Sequence, residues 1–447
     1  MHKTITIILL VEIISSYIKI PFYTYNIDSK NNLSDYFSMQ NFVTNNIYSH
    51  LLIGNPPQKI TSKLNFNAYA FNIYNNQCDI PSEYNTLYKN STTKINKGYI
   101  LTDVYIDTFL IEDFFAFPEY PDKSFKLNYI YAPMDNNLFE KNIERKLYTC
   151  ANIGLKLSVN YAGTFDYNFL RELKNLNIIN NYVFYFDYDN NNKEEGNLII
   201  GKWPHEIDEN KDKYKEKIFK EVYAINYEFN LCWMIRVDDT FLKIKEDNSN
   251  KKYNLTKNSY FELDYNLNII YGAYEFMELI EKIYFNEKIE NKICKKVYSN
   301  NGQLIFFECD PSLNIKSFPS IFFNHKTFSF IFELNYEDLF KINDGKLIFL
   351  IWFKTKEKEK WSLGKIFLKK YLFTFDIDKK MIGFYTSKNN IFDNTTTDEN
   401  NTKYIVIKLI LFSFIAFFLC FILAKVYFRH KKEIRNNNKL TELINIK

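Results

Sequence analysis

Several kinds of chemistry are missing from this sequence before any element of structure is assigned. It has no CxxC pair and no Cys/His spacing suited to zinc, which removes the common zinc sites. Glycine is scarce, with eleven residues in 447, and no P-loop or dinucleotide-binding fingerprint occurs. Histidine is scarcer still, with five residues. Of these, His50, His205 and His325 lie in the body of the chain, and none stands in a nucleophile–base pattern, so surface or structural roles are expected. No basic patch interleaved with aromatics is present either. The formal charge of +4 is spread along the sequence, and nucleic acid is not an expected partner. No cofactor and no metal site is expected.

Apolar and aromatic residues are abundant. Hydrophobic residues make up 46% of the chain and aromatics 18%, mostly Tyr and Phe; β-sheet interiors accommodate these well. The length allows a large core and more than one lobe. Strand-like runs are expected at Tyr48–Ile53, where the fold begins, and at Tyr99–Phe109, Asn181–Tyr188, Leu198–Ile200 and Cys232–Val237. They continue at Gln303–Phe307, Ile321–Phe332, Leu347–Phe353 and Tyr371–Asp376. Helical spacing is confined to Phe169, Leu170, Leu173 and Leu176, and to Phe276, Leu279, Ile280 and Ile283.

The two ends supply an address. Residues 1–18 carry Lys3 followed by apolar stretches and read as a signal peptide or N-terminal hydrophobic segment. Leu409–Ala424 is unbroken and apolar, and 404–428 is long enough to cross a bilayer as a helix. Arg429, Lys431, Lys432 and Arg435 follow it, while Asp398 and Glu399 precede it, which places residues 429–447 in the cytosol. The preceding body is then lumenal or extracellular, in the secretory pathway or at the cell surface. Cys78, Cys150, Cys232, Cys294 and Cys309 fall in that body and Cys420 in the span. Cys294 and Cys309 flank a short loop at Asn300-Asn301-Gly302 and are the candidate disulfide. Sequons occur at Asn32, Asn90, Asn254, Asn394 and Asn400.

One tetrapeptide pattern occurs twice, as Leu64-Asn65-Phe66-Asn67 and Leu263-Asp264-Tyr265-Asn266, each after a β-prone run. The repeat predicts two similar halves. If they face each other, Asn65 and Asp264 meet at one site, where a paired-carboxylate mechanism needs an acid from each side. Only Asp264 is an acid.

The residues around this repeat resemble those of a known family. Tyr48 to Lys59, YSHLLIGNPPQK, is similar to the opening strand and turn of pepsin-like eukaryotic aspartic proteases. Trp361 to Phe384, WSLGKIFLKKYLFTFDIDKKMIGF, resembles their final strands. Asn152-Ile153-Gly154-Leu155 and Leu363-Gly364 resemble the apolar-Gly elements beneath the two catalytic loops, and Gly196 to Gly201 and Trp233-Met234-Ile235 fall in family order. The resemblance covers about residues 47–387, and with the C-terminal anchor it is similar to membrane-bound, plasmepsin-like members.

The resemblance implies a mainly β, bilobal fold with few short helices and one C-terminal transmembrane helix. The boundaries are a polar extension at 19–46, an N-terminal lobe at 47–220, a C-terminal lobe at 221–387 and a linker at 388–403. Asn65 and Asp264 then hold the positions of the two catalytic Asp residues. Phe66, Asn67, Tyr265 and Asn266 replace the small hydroxyls and glycines of the D-[T/S]-G loops, beside bound substrate, and Ser91 falls at the flap position. Two such carboxylates share a proton, one acting as base and the other as acid. The amide of Asn65 takes neither role. Three functions follow: an impaired protease homologue holding an extended peptide or protein in its cleft, a working aspartic endopeptidase that relies on Asp264, and a structural or adhesive ectodomain with the cleft closed by Phe66 and Tyr265.

Overall fold

Alternation of burial along the strands decides which residues face the core. In Ile47–Ile53, Ile47, Ser49, Leu51 and Ile53 are buried, while His50 and Leu52 are half-exposed. In Gln58–Asn65, Ile60, Ser62 and Leu64 are buried, and Lys63 and Asn65 lie on the opposite face. The computed structural model describes residues 17–24, 42–68, 70–75, 91–100, 108–133, 151–156, 168–189, 194–207, 217–223, 226–227, 230–246, 249–299, 302–325, 330–355 and 361–387, and six helical residues between 423 and 431. The chain divides into two units, residues 1–390 and 391–447.

The first unit is mainly β. Among the described residues, one sheet has thirteen strands and a second has eleven. The larger sheet gathers the strands between residues 18 and 223 and also takes Phe373–Asp376 and Met381–Ser387 from the far end of the unit. The smaller sheet is built from residues 234–363. Long strands 234–246 and 249–263 pair along their length, and the sheet accepts Ser320–His325 at one side.

The two halves repeat one local arrangement. Gln58–Asn65 pairs in parallel with Ala151–Gly154, and Asn72–Asn75 runs antiparallel to Ala151–Gly154 and parallel to Tyr120–Pro133. In the second half, Ser249–Leu263 pairs in parallel with Trp361–Leu363. Ile270–Gly272 runs antiparallel to Trp361–Leu363 and parallel to Ile351–Lys354. Each copy delivers its tetrapeptide loop at the end of a strand flanked by a parallel neighbour. Gly364 shows why a small residue is needed there: a Cβ would lie 2.1 Å from the carbonyl oxygen of Ile269 and 2.5 Å from that of Leu267.

Helices are few. Phe169–Asn175 starts at Asn168, whose side chain accepts from the N–H groups of Leu170 and Arg171, and it buries Phe169, Leu170 and Leu173. Tyr274–Ile280 buries Phe276, Met277 and Ile280 and runs on through Glu281–Phe285 and Asn286–Glu290. The disulfide joins Cys294 to Cys309, which face each other across antiparallel strands Cys294–Ser299 and Leu304–Cys309.

Four sequence expectations are corrected. The fold begins before Tyr48: Ile18–Thr24 lies between Glu195–Ile200 and Ile47–Ile53, with Ile18, Ile20 and Phe22 buried on one face. Residues 19–24 of the expected polar extension are therefore part of the fold, because they alternate as a sheet strand does. The run Ile321–Phe332 is two antiparallel strands, Ser320–His325 and Phe330–Leu334. Leu347–Phe353 is also two, Lys346–Phe349 and Ile351–Lys354, which pair with different parts of Leu304–Cys309. Tyr99–Phe109 spans the ends of two strands, Ile95–Ile100 and Thr108–Phe117, which pair antiparallel.

Other expectations fall elsewhere. The N-terminal segment 1–18, apart from its last two residues, and the span 404–428, apart from 423–425 and 427, lie outside the described residues. So do Cys78, Cys150, Cys420 and the sequons at Asn32, Asn90, Asn394 and Asn400. Among the described residues no helix is long and apolar enough to cross a membrane.

Candidate functional site

The two tetrapeptide loops meet inside the first unit. Within the first, the Asn65 Oδ1 accepts from the backbone N–H of Asn67 at 2.9 Å. Within the second, Asp264 Oδ1 accepts from the backbone N–H of Asn266 at 2.8 Å. These are the same turn-closing bond made twice.

The loops are also joined to each other, and the bonds are reciprocal. Asn266 Nδ2 donates to Asn65 Oδ1 at 2.8 Å, and Asn67 Nδ2 donates to Asp264 Oδ2 at 3.0 Å. The N–H of Phe66 donates to Asn266 Oδ1 at 3.3 Å. Each asparagine at the third position of one loop thus grips the first position of the other. Both oxygens of Asp264 carry a protein donor, and Asn65 Oδ1 carries two.

The backbone holds this clasp from behind. Leu155 N–H donates to Asn65 O, and Asp264 N–H donates to Leu363 O. Residues 43–46 run along the second loop: Asn45 N–H donates to Asn266 O, Asn45 Nδ2 to Tyr265 O, and Asn268 N–H to Val43 O. The indole N–H of Trp233 donates to Leu155 O at 3.0 Å, tying the second half to the strand beneath the first loop.

Phe66 and Tyr265, expected beside bound substrate or closing the cleft, turn inward and meet each other. Both rings are buried in the core, at 2% and 1% exposure. Their centroids lie 5.4 Å apart in an edge-to-face contact, and both pack against Phe186 and Phe375. Successive residues at a strand end alternate in direction, so an aromatic next to a polar site residue falls on the core side.

Ser91, expected at the flap position, is bonded within the protein. Its hydroxyl donates to Asp113 Oδ1 at 3.0 Å and accepts from the N–H groups of Asn55 and Thr93. It therefore fastens the chain to the Gly54–Asn55 turn. The hairpin strands begin beyond it, at Ile95, and join through residues 101–107, outside the described residues.

Electrostatics separate the two central positions. Burial raises the Asp264 carboxyl above its ordinary value of 3.8. The Asn67 amide, the Asn266 N–H and the charge of Lys63 oppose that rise, and Glu262 adds to it. Asn65 does not titrate. Lys63 is a residue the sequence reading missed. It precedes Asn65 by two positions, so a strand period of two was the available signal. Among the described residues, no group of three or more His, Cys, Asp or Glu is placed to hold a metal ion.

The model of the eukaryotic aspartyl protease family matches residues 152–387, just over half of the chain. The chain belongs to the eukaryotic aspartyl protease family. No curated protein matches the sequence. The match takes in Asp264 and the sheet around it, while the Asn65 loop precedes the matched region.

Proposed function

We propose that this aspartyl protease homologue has lost hydrolysis and holds an extended peptide or protein segment between its two β-rich halves, in the lumen of the secretory pathway or at the cell surface, anchored through residues 404–428. The observation that carries the loss of hydrolysis is the reciprocal asparagine clasp. A water poised for attack needs a carboxylate to take its proton and a second carboxyl to protonate the peptide carbonyl. Here the amide of Asn65 replaces one of them, and the oxygens of Asp264 are engaged by Asn67 and Asn266. Two asparagines at positions where the family loops have glycine convert a site that opens toward substrate into one that bonds to itself. Binding needs no acid pair: an extended segment is held by backbone hydrogen bonds and side-chain pockets. The Cys294–Cys309 disulfide suits an oxidising compartment.

A second reading is supported by one feature. The raised Asp264 carboxyl retains its proton to higher pH than an ordinary Asp and is suited to act as a general acid. The test is cleavage of a diverse peptide library from about pH 4 to about pH 7 by the full chain, beside Asn65→Asp and Asp264→Ala variants. No cleavage by the native chain is expected. Native cleavage that vanishes in Asp264→Ala overturns the loss of hydrolysis. The binding half is tested with the same library unlabelled, competing against one fluorescent member for the native chain; absence of any saturable binding overturns it.

A further inference from the structure

The face of the sheet that carries Asn65 also carries a row of polar residues that an apolar peptide pocket does not need. Lys63 shares that face with Asn65. In register, Lys63 stands beside Asn152, and Asn152 stands beside Asn72, on three adjacent strands. Residues in register on neighbouring strands share a face. Asn72 and Asn152 are both buried, at 8% exposure.

Lys63 is a half-buried cation whose amine donates to a neutral group, Asn46 Oδ1, at 2.9 Å. An ammonium has three N–H donors. Asp264 lies close enough to act on its charge, but the carboxylate oxygens there are already bonded to Asn67 and Asn266. A buried charge is ordinarily paired and hydrogen-bonded. Burial lowers the Lys63 amine from its ordinary value, and the charge of Asp264 works against that fall. A carboxylate arriving from outside would complete the hydrogen bonding of the amine.

We propose that Lys63 forms a carboxylate-accepting subsite next to Asp264, so that the segment held by this protein places an acidic side chain or its own C-terminal carboxylate against Lys63. The proposal rests on the binding reading above and adds the chemistry of the bound segment.

The test uses the full chain and four probe peptides of one extended sequence, measured by fluorescence polarisation at constant ionic strength. One central residue is Glu or Gln, and each version has a free or an amidated C-terminus. Tighter binding of both Glu peptides assigns the subsite to a side chain, and tighter binding of both free-acid peptides assigns it to a chain end; about tenfold or more is expected in either case. Lys63→Met abolishes that preference, and Lys63→Arg retains it. Equal affinity for all four peptides overturns the subsite while leaving the binding reading intact. A preference that survives in Lys63→Met overturns it as well. Absence of binding by every peptide removes both.

Discussion

The loops at Asn65–Asn67 and Asp264–Asn266 make the same internal hydrogen bond and exchange the same cross-bond, yet they are held differently. The second is strapped along its length by residues 43–46, and Asn266 is buried. The first has backbone bonds from Leu155 and Lys156, and Asn67 is exposed. Asp264 therefore lies in the loop with more bonds around it, while the amide of Asn65 lies in the loop nearer solvent. The clasp is nearly symmetric in geometry but not in its surroundings, so its two halves are expected to differ in energy.

The largest effects are expected where the comparison is closest to equality, at the two core rings. Phe66→Ala and Tyr265→Ala should each destabilise the protein by about 3–5 kcal/mol in denaturant unfolding. Because the rings touch, the double variant should lose less than the total of the two. Strict additivity would show that the loops are energetically independent.

Next come the asparagines. Asn266→Ala removes the donor to Asn65 and leaves the Phe66 N–H without its acceptor, so a loss of about 2 kcal/mol is expected. Asn67→Ala should cost about 1 kcal/mol, since water reaches that position and replaces the amide. Equal losses measured by the same unfolding experiment would break the asymmetry.

A pH series sharpens the contrast in charge. The folded state holds the Asp264 proton to higher pH than the unfolded chain does, so its contribution is present below the ordinary value of 3.8 and is lost as pH rises through the folded value. Asp264→Asn should remove that downward slope from a plot of unfolding free energy against pH. Lys63 has the opposite sign: its amine is lowered below 10.5, so stability increases as pH approaches that value from below.

The smallest effect is at His50, on the strand leading to the first loop. Burial, with Lys59, pushes its imidazole down from 6.5 to about 4. Its contribution is present above 6.5 and is lost as pH falls toward 4, in the direction opposite to Asp264. His50→Gln should flatten the acid limb slightly, because the ring is half-exposed and solvent screens it. An unchanged acid limb would remove His50 from the account.

The duplication was legible because Leu-[Asn/Asp]-[Phe/Tyr]-Asn recurs after a β-prone run, and the structure repeats the strand arrangement around both copies. The disulfide was legible from two cysteines flanking a turn. The break between Ser320–His325 and Phe330–Leu334 was not, since the connecting residues Lys326-Thr327-Phe328-Ser329 include no glycine or proline to mark it. Ile18–Thr24 alternates plainly but sits against the apolar N-terminal run, which drew its boundary in the wrong place. The clasp lay beyond sequence reading for a physical reason. In isolation, asparagine in place of glycine reads as crowding, and only the facing loop shows that each amide has a partner across the gap.

Ile18–Thr24 has a consequence for processing. It occupies an interior place in the large sheet, hydrogen-bonded on one side to Glu195–Ile200 and on the other to Ile47–Ile53, with Phe22 packed against Phe186 and Tyr188. Cleavage anywhere between residues 25 and 41 would release no activation fragment. It would create a two-chain protein whose short chain is a sheet member, separating from the rest only when the sheet itself is denatured.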